Sequence, residues 1–166
     1  KAYYYDEEII NLKGGDDYYY SFNSNFGKGD VCNPQWTEGS IEFSMRPGNE
    51  LVKLKPSGHP LNKKQVIKGN MGKGDDHLVL NVSMHSNYPK TKARVKGGEG
   101  DDYLYTDLNN SVLEGGSGDD LIVATASYEK MTITGGNGAD IFGLNLRKSE
   151  ESVAESRPGI ITITDF

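Results

Sequence analysis

Three stretches of this chain repeat one arrangement of glycines and acids: Gly97-Gly98-Glu99-Gly100-Asp101-Asp102, Gly115-Gly116-Ser117-Gly118-Asp119-Asp120 and Gly135-Gly136-Asn137-Gly138-Ala139-Asp140. Such turns can do metal chemistry. Ca²⁺ takes about six to eight hard oxygen ligands, drawn from carboxylates and backbone carbonyls. Glycine supplies carbonyls readily, because it accepts positive φ and lets the backbone curl around an ion. One turn offers too few oxygens, but two stacked turns can share an ion between them. Asp102, Asp120 and Asp140, each at the sixth position, then bring the negative charge. Asp101 and Asp119, the first acids of their pairs, are further candidates. Without a cation the paired acids would repel one another and disfavour the compact state. Metal binding and folding are therefore expected to be one event.

Two looser copies precede these. Ile67-Lys68-Gly69-Asn70-Met71-Gly72-Lys73-Gly74-Asp75-Asp76 adds two residues before its acids, with Gly72, Gly74 and Asp76 as candidate metal residues. Leu12-Lys13-Gly14-Gly15-Asp16-Asp17 is two residues short, and Asp17 is its counterpart of Asp102. Aligned on the apolar residue before the glycines, the copies start at 12, 67, 95, 113 and 133, with gaps of 55, 28, 18 and 20. Eighteen is two nonapeptides, one full coil if each half contributes a turn and a short strand. Only one half of each coil keeps its glycines and acids, so one edge of the stack should carry the metal-ready turns. Strand residues alternate with a period of two, which turns one set inward. Tyr19, Leu78, Leu104, Ile122 and Phe142 form one expected core stripe, and Leu12, Ile67, Val95, Leu113 and Ile133 the other. The expected class is all-β, a parallel β-roll forming one domain over 1–166, with insertions at 21–65 and 81–94.

The first insertion reads differently. Ile41, Phe43 and Met45 alternate, Arg46-Pro47-Gly48-Asn49 is a turn signal, and Leu51-Val52-Lys53-Leu54 follows, which predicts a β-hairpin. Trp36 lies nearby and is a candidate for contact with a glycan or protein partner, although aromatic residues in a β-rich chain also serve as strand packing. The tyrosine run Tyr3-Tyr4-Tyr5 is a candidate strand edge through which two copies could pair.

Bulk properties narrow the function. The 21 glycines and few large aliphatic residues leave too little for a large conventional core, so something besides burial must hold the chain. A net charge of −6 argues against nucleic acid or an anionic membrane surface as partner. No stretch approaches the roughly 20 apolar residues of a membrane span. The single cysteine, Cys32, excludes an internal disulfide and has no zinc-type partner. The chain starts at Lys1, without Met or a signal-peptide pattern, and reads as a piece of a longer protein.

The residues 97–105, 115–123 and 135–142 resemble the repeats of the RTX (repeats-in-toxin) family, bacterial proteins exported by type I secretion. That resemblance implies a parallel β-roll, a right-handed solenoid with Ca²⁺ between successive turns. It implies Asp76, Asp102, Asp120 and Asp140 as ligands, together with carbonyls in the turns beginning at Gly97, Gly115 and Gly135. It further implies a secreted chain that stays unfolded in calcium-poor cytosol and folds outside. The leading expectation is a non-enzymatic, calcium-folded module that stabilises or caps a secreted toxin, protease or adhesin. An alternative is a recognition module using 21–65 to meet a host-surface protein or glycan. Calcium-triggered self-cleavage at an Asp-Pro bond has no substrate here, since the residues before the prolines are Asn33, Arg46, Lys55, His59, Tyr88 and Arg157. His77 beside Asp76 is expected to be structural, and no nucleophile–base pair stands out.

Overall fold

Alternating β-branched and aromatic residues punctuated by glycine turns dictate short strands. The structure, a computed structural model, describes residues 7–11, 18–22, 39–45, 47–55, 65–81, 91–126, 130–146 and 159–165. The strands among them are β1 (Glu7–Asn11), β2 (Tyr18–Phe22), β3 (Gly39–Ser44), β4 (Leu51–Lys55), β5 (Gln65–Lys73), β6 (His77–Leu80) and β7 (Thr91–Glu99). They continue as β8 (Tyr103–Thr106), β9 (Val112–Ser117), β10 (Leu121–Ala126), β11 (Lys130–Asn137), β12 (Ile141–Leu146) and β13 (Ile160–Ile163). No helix occurs among the described residues, so none there is long and apolar enough to cross a membrane.

Odd-numbered strands form a seven-stranded sheet in sequence order, and even-numbered strands form a six-stranded sheet in the same way. Every pairing among the described residues is parallel. The chain therefore passes from one sheet to the other and advances by one strand in each with every coil. The described residues are all-β, with a parallel, solenoid-like arrangement of two sheets.

The predicted hairpin is not there. β3 pairs with β1 and β5, while β4 pairs with β2 and β6, so the two belong to opposite sheets. The turn between them bonds forward to the next coil instead of closing on itself. The N–H groups of Met45 and Gly48 donate to the carbonyls of Asn70 and Lys73, and the N–H of His77 donates to the carbonyl of Glu50. Residues 39–55 are thus a coil of the stack within the stretch expected as an insertion.

One expected stripe also shifts. Ile67 pairs with Ala93, and the residue level with Val95, Leu113 and Ile133 is Gly69, followed by Phe43 and Ile10. Lys68-Gly69 imitates Lys96-Gly97 in composition, but the register is set two residues later. Gly69 is required because the Phe43 ring of the preceding coil lies where its Cβ would be. The spacing to the next coil is therefore 26 residues, and the turn 71–76 has no extra residues. Asn11 and Tyr18 likewise pair level with Ser44 and Leu51, so six residues separate the strands of that coil as in the others.

The other stripe follows expectation. Tyr19, Val52, Leu78, Leu104, Ile122 and Phe142 lie in one register across the six-stranded sheet. Val52, Leu78, Leu104 and Ile122 join Val95, Leu113 and Ile133 of the facing sheet in a single buried cluster, with Phe142 packed at its margin. Leu12, Asp17, Trp36, Tyr3 to Tyr5, and most of 21–38, 56–64 and 82–90 lie outside the described residues, as does the side chain of Tyr19.

Candidate metal centre

Successive Cβ atoms along extended backbone point to opposite sides, and this divides the two acids of each turn. Two ladders of side-chain-to-backbone hydrogen bonds run along the glycine edge in opposite senses. In the inner ladder, Oδ1 of Asp76, Asp102, Asp120 and Asp140 accepts from the N–H of Glu50, Asp76, Asp102 and Asp120, at 2.8, 2.9, 2.9 and 3.0 Å. In the outer ladder, Oδ1 of Asn49, Asp75, Asp101 and Asp119 accepts from the N–H of Asp75, Asp101, Asp119 and Ala139, at 2.9, 3.0, 2.8 and 2.8 Å. Each inner carboxylate leans on the coil before it, and each outer one on the coil after it. Asp101 and Asp119 therefore cap exposed backbone rather than facing the interior.

The inner carboxylates of Asp76, Asp102 and Asp120 are buried, and they are incompletely served. Oδ2 of Asp76, Asp102 and Asp120 meets no donor. A buried polar atom without a partner costs on the order of 1–3 kcal/mol, and more when charged. The first glycine of each turn makes the space for this oxygen. A Cβ at Gly97 would fall against Oδ2 of Asp102 and 2.6 Å from the Gly115 carbonyl oxygen. At Gly115 it would fall against Oδ2 of Asp120 and 2.6 Å from the Gly135 carbonyl oxygen. Each cradle is thus walled by a donorless carboxylate oxygen and by a carbonyl oxygen of the next coil. Hard oxygens in that setting fit a hard cation. Among the described residues no three His, Cys, Asp or Glu side chains converge on one point; the carboxylates come one to a turn.

The other expected residues are placed as follows. Gly72, Gly74, Gly98, Gly100, Gly116, Gly118 and Gly138 all take positive φ, which stacks the turns closely. The carbonyls of Glu99, Ser117 and Asn137 accept from the N–H of Gly74, Gly100 and Gly118. The Glu99 carboxylate reaches Lys73 at 2.6 Å on the surface, outside the cradle. Gly135 has Asp140 Oδ2 beside it, and its N–H donates to Oδ1 of Asp165 at 2.9 Å, which finishes the last coil. The His77 ring packs on Tyr103, with centroids 4.4 Å apart.

Sequence reasoning missed Glu50, Asn49 and Asp165. Glu50 is level with Asp76 and is buried beside it. The signal was Gly48-Asn49-Glu50-Leu51, standing 26 residues before Gly74-Asp75-Asp76-His77.

Burial pushes the carboxyls of Asp76, Asp102 and Asp120 up. Asp120 is raised to about 6 and Asp102 to about 7, chiefly by loss of solvent and then by neighbouring acids. Asp76 is raised to about 8, by burial first and then by the Glu50 carboxyl group against it. Raised carboxyl pKa values mean that the folded state holds protons the unfolded state releases. In metal-free protein, stability from these groups is complete below the unfolded value of about 3.8. It is lost as pH rises through about 6, 7 and 8. Metal-stripped protein is therefore expected to have a higher urea midpoint at about pH 5.5 than at about pH 8.5. A midpoint that rises with pH over that window would contradict this reading of the carboxylates.

No protein-family model, curated protein or solved structure matches the chain.

Proposed function

We propose that this chain is a calcium-binding parallel β-roll of the RTX kind, which folds as Ca²⁺ enters the turns and serves as a non-enzymatic module of a secreted protein. One observation carries the reading: buried carboxylate oxygens without donors, repeated in register at Asp102 and Asp120, each facing a glycine cradle and a carbonyl oxygen of the next coil. Asp102, Asp120 and Asp140 are the carboxylate ligands, with carbonyls of the turns starting at Gly97, Gly115 and Gly135 completing the set. Calcium replaces the missing donors and cancels repulsion along the inner ladder, so it favours the compact state by mass action. The module stabilises or caps the toxin, protease or adhesin to which it is joined, in surroundings where calcium is abundant.

A calcium titration of metal-stripped protein at neutral pH, followed by far-UV circular dichroism, tests this. The expected result is a cooperative gain of β-signal with a midpoint of about 10⁻⁴–10⁻³ M, as for extracellular modules. Magnesium should give little, because it demands a smaller octahedral cage. A chain fully folded without calcium, with no change on adding it, would remove the proposal.

A further inference from the structure

The turns are not equivalent at their first position. Asn70 pairs with Lys96 and Gly72 with Gly98, which puts Met71 level with Gly97. Lys96 and Gly98 pair with Glu114 and Gly116, and these with Thr134 and Gly136, which puts Gly97 level with Gly115 and Gly135. Met45 follows the Ser44–Asn70 pair and is level with Met71. The column of first positions thus reads Met45, Met71, Gly97, Gly115, Gly135. Both methionine side chains are buried in the central cluster, Met71 at 0% and Met45 at 5% exposure.

At Gly97 and Gly115 the volume of a Cβ is the volume that the carboxylate and carbonyl oxygens enclose. A methionine fills that volume with carbon. We propose that Met71 plugs the cation column: ions seat at the Gly97 turn and beyond it, while the turns 45–50 and 71–76 are sealed by Met45 and Met71. This rests on the calcium reading above and gives it a boundary. Gly72, Gly74 and Asp76, which look like a fourth calcium turn, hold no ion. Asp76 keeps the same Oδ1 bond to the coil before it as Asp102 and Asp120 do, and it differs from them in having methionine rather than glycine at the first position of its turn. A thioether is a soft, weak acceptor that cannot replace a carboxylate or carbonyl for Ca²⁺. The roll then has two parts, a first one closed by packing and a second one closed by metal.

Counting ions tests the plug, with calcium alone as the probe, on metal-stripped full chain by native mass spectrometry. Met71→Gly should bind an additional ion per chain relative to the unmodified protein, because it opens a cradle between Asp76 Oδ2 and the Gly97 turn. An unchanged count in a folded Met71→Gly protein would overturn the plug while leaving calcium binding intact. Should the cavity left by methionine prevent folding, a second pair of variants decides. Asp76→Asn should leave the ion count unchanged and Asp102→Asn should lower it. A fall with Asp76→Asn would overturn the plug. A chain that binds no calcium would instead overturn the function on which the plug rests.

Discussion

Asp120→Ala is expected to lose a large part of the stability that calcium confers while leaving the metal-free chain no less structured at neutral pH. Asp120 serves one cradle directly: its Oδ1 meets the Asp102 N–H of the coil before, and its Oδ2 faces the cradle shared by Gly115 and Gly135. At calcium about 100-fold above Kd, one site contributes about 2.7 kcal/mol. Disabling that site therefore removes about 2.7 kcal/mol, a large fraction of the stability of a small domain. The metal-free chain responds in the opposite sense. There the carboxylate is a buried charge whose Oδ2 has no donor, with its pKa raised to about 6, and deleting it relieves that cost above that pH, which outweighs the bond its Oδ1 accepts from the Asp102 N–H. Thermal melts with and without calcium check both halves. Asp120→Ala protein with the same calcium-dependent increase in Tm as the unmodified protein would show that Asp120 is no ligand.

The second large effect is steric and indifferent to metal. Gly116 has φ +131°, and a Cβ there would fall against the Gly98 carbonyl oxygen and within 2.9 Å of its carbonyl carbon. That φ is nearly closed to other residues. The obstacle is backbone of the adjacent coil, fixed by the Gly98–Gly116 pairing, and cannot swing aside. Strain alone costs on the order of 1–3 kcal/mol, and parting two coils weakens the cluster around Leu104, Leu113 and Ile122 besides. Gly116→Ala should therefore lower the Tm both with and without calcium. Glu114→Ala is the control: it removes a surface ion pair with Lys96 at 2.8 Å, worth about 0–1 kcal/mol. Equal Tm values for the two variants would refute the tight stacking of these turns.

The sequence discloses the glycine–aspartate turns because only glycine fits two of their backbone positions, and that demand is written directly in residue type. It discloses the Leu78, Leu104, Ile122 stripe because burial and two-residue alternation coincide there. The coil at 39–55 is hidden for a physical reason. A hairpin and a coil both read as alternation, turn, alternation, and only pairing with strands 26 residues away separates them. Gly69 misleads in a similar way, since its role is to admit Phe43 from the coil before rather than to open a turn. The division between Asp101 and Asp102 is equally invisible in composition. Both are aspartates, and only the opposite directions of adjacent side chains make one a surface cap and the other an interior oxygen.

Calcium linked to fold through the inner carboxylates is most directly tested by anomalous scattering from crystals grown with millimolar calcium. Anomalous peaks beside Oδ2 of Asp102 and Asp120, between the turns starting at Gly97, Gly115 and Gly135, are the predicted result. Crystals of the same fold with no cation at those oxygens, and protonated carboxyls or water in its place, would contradict it.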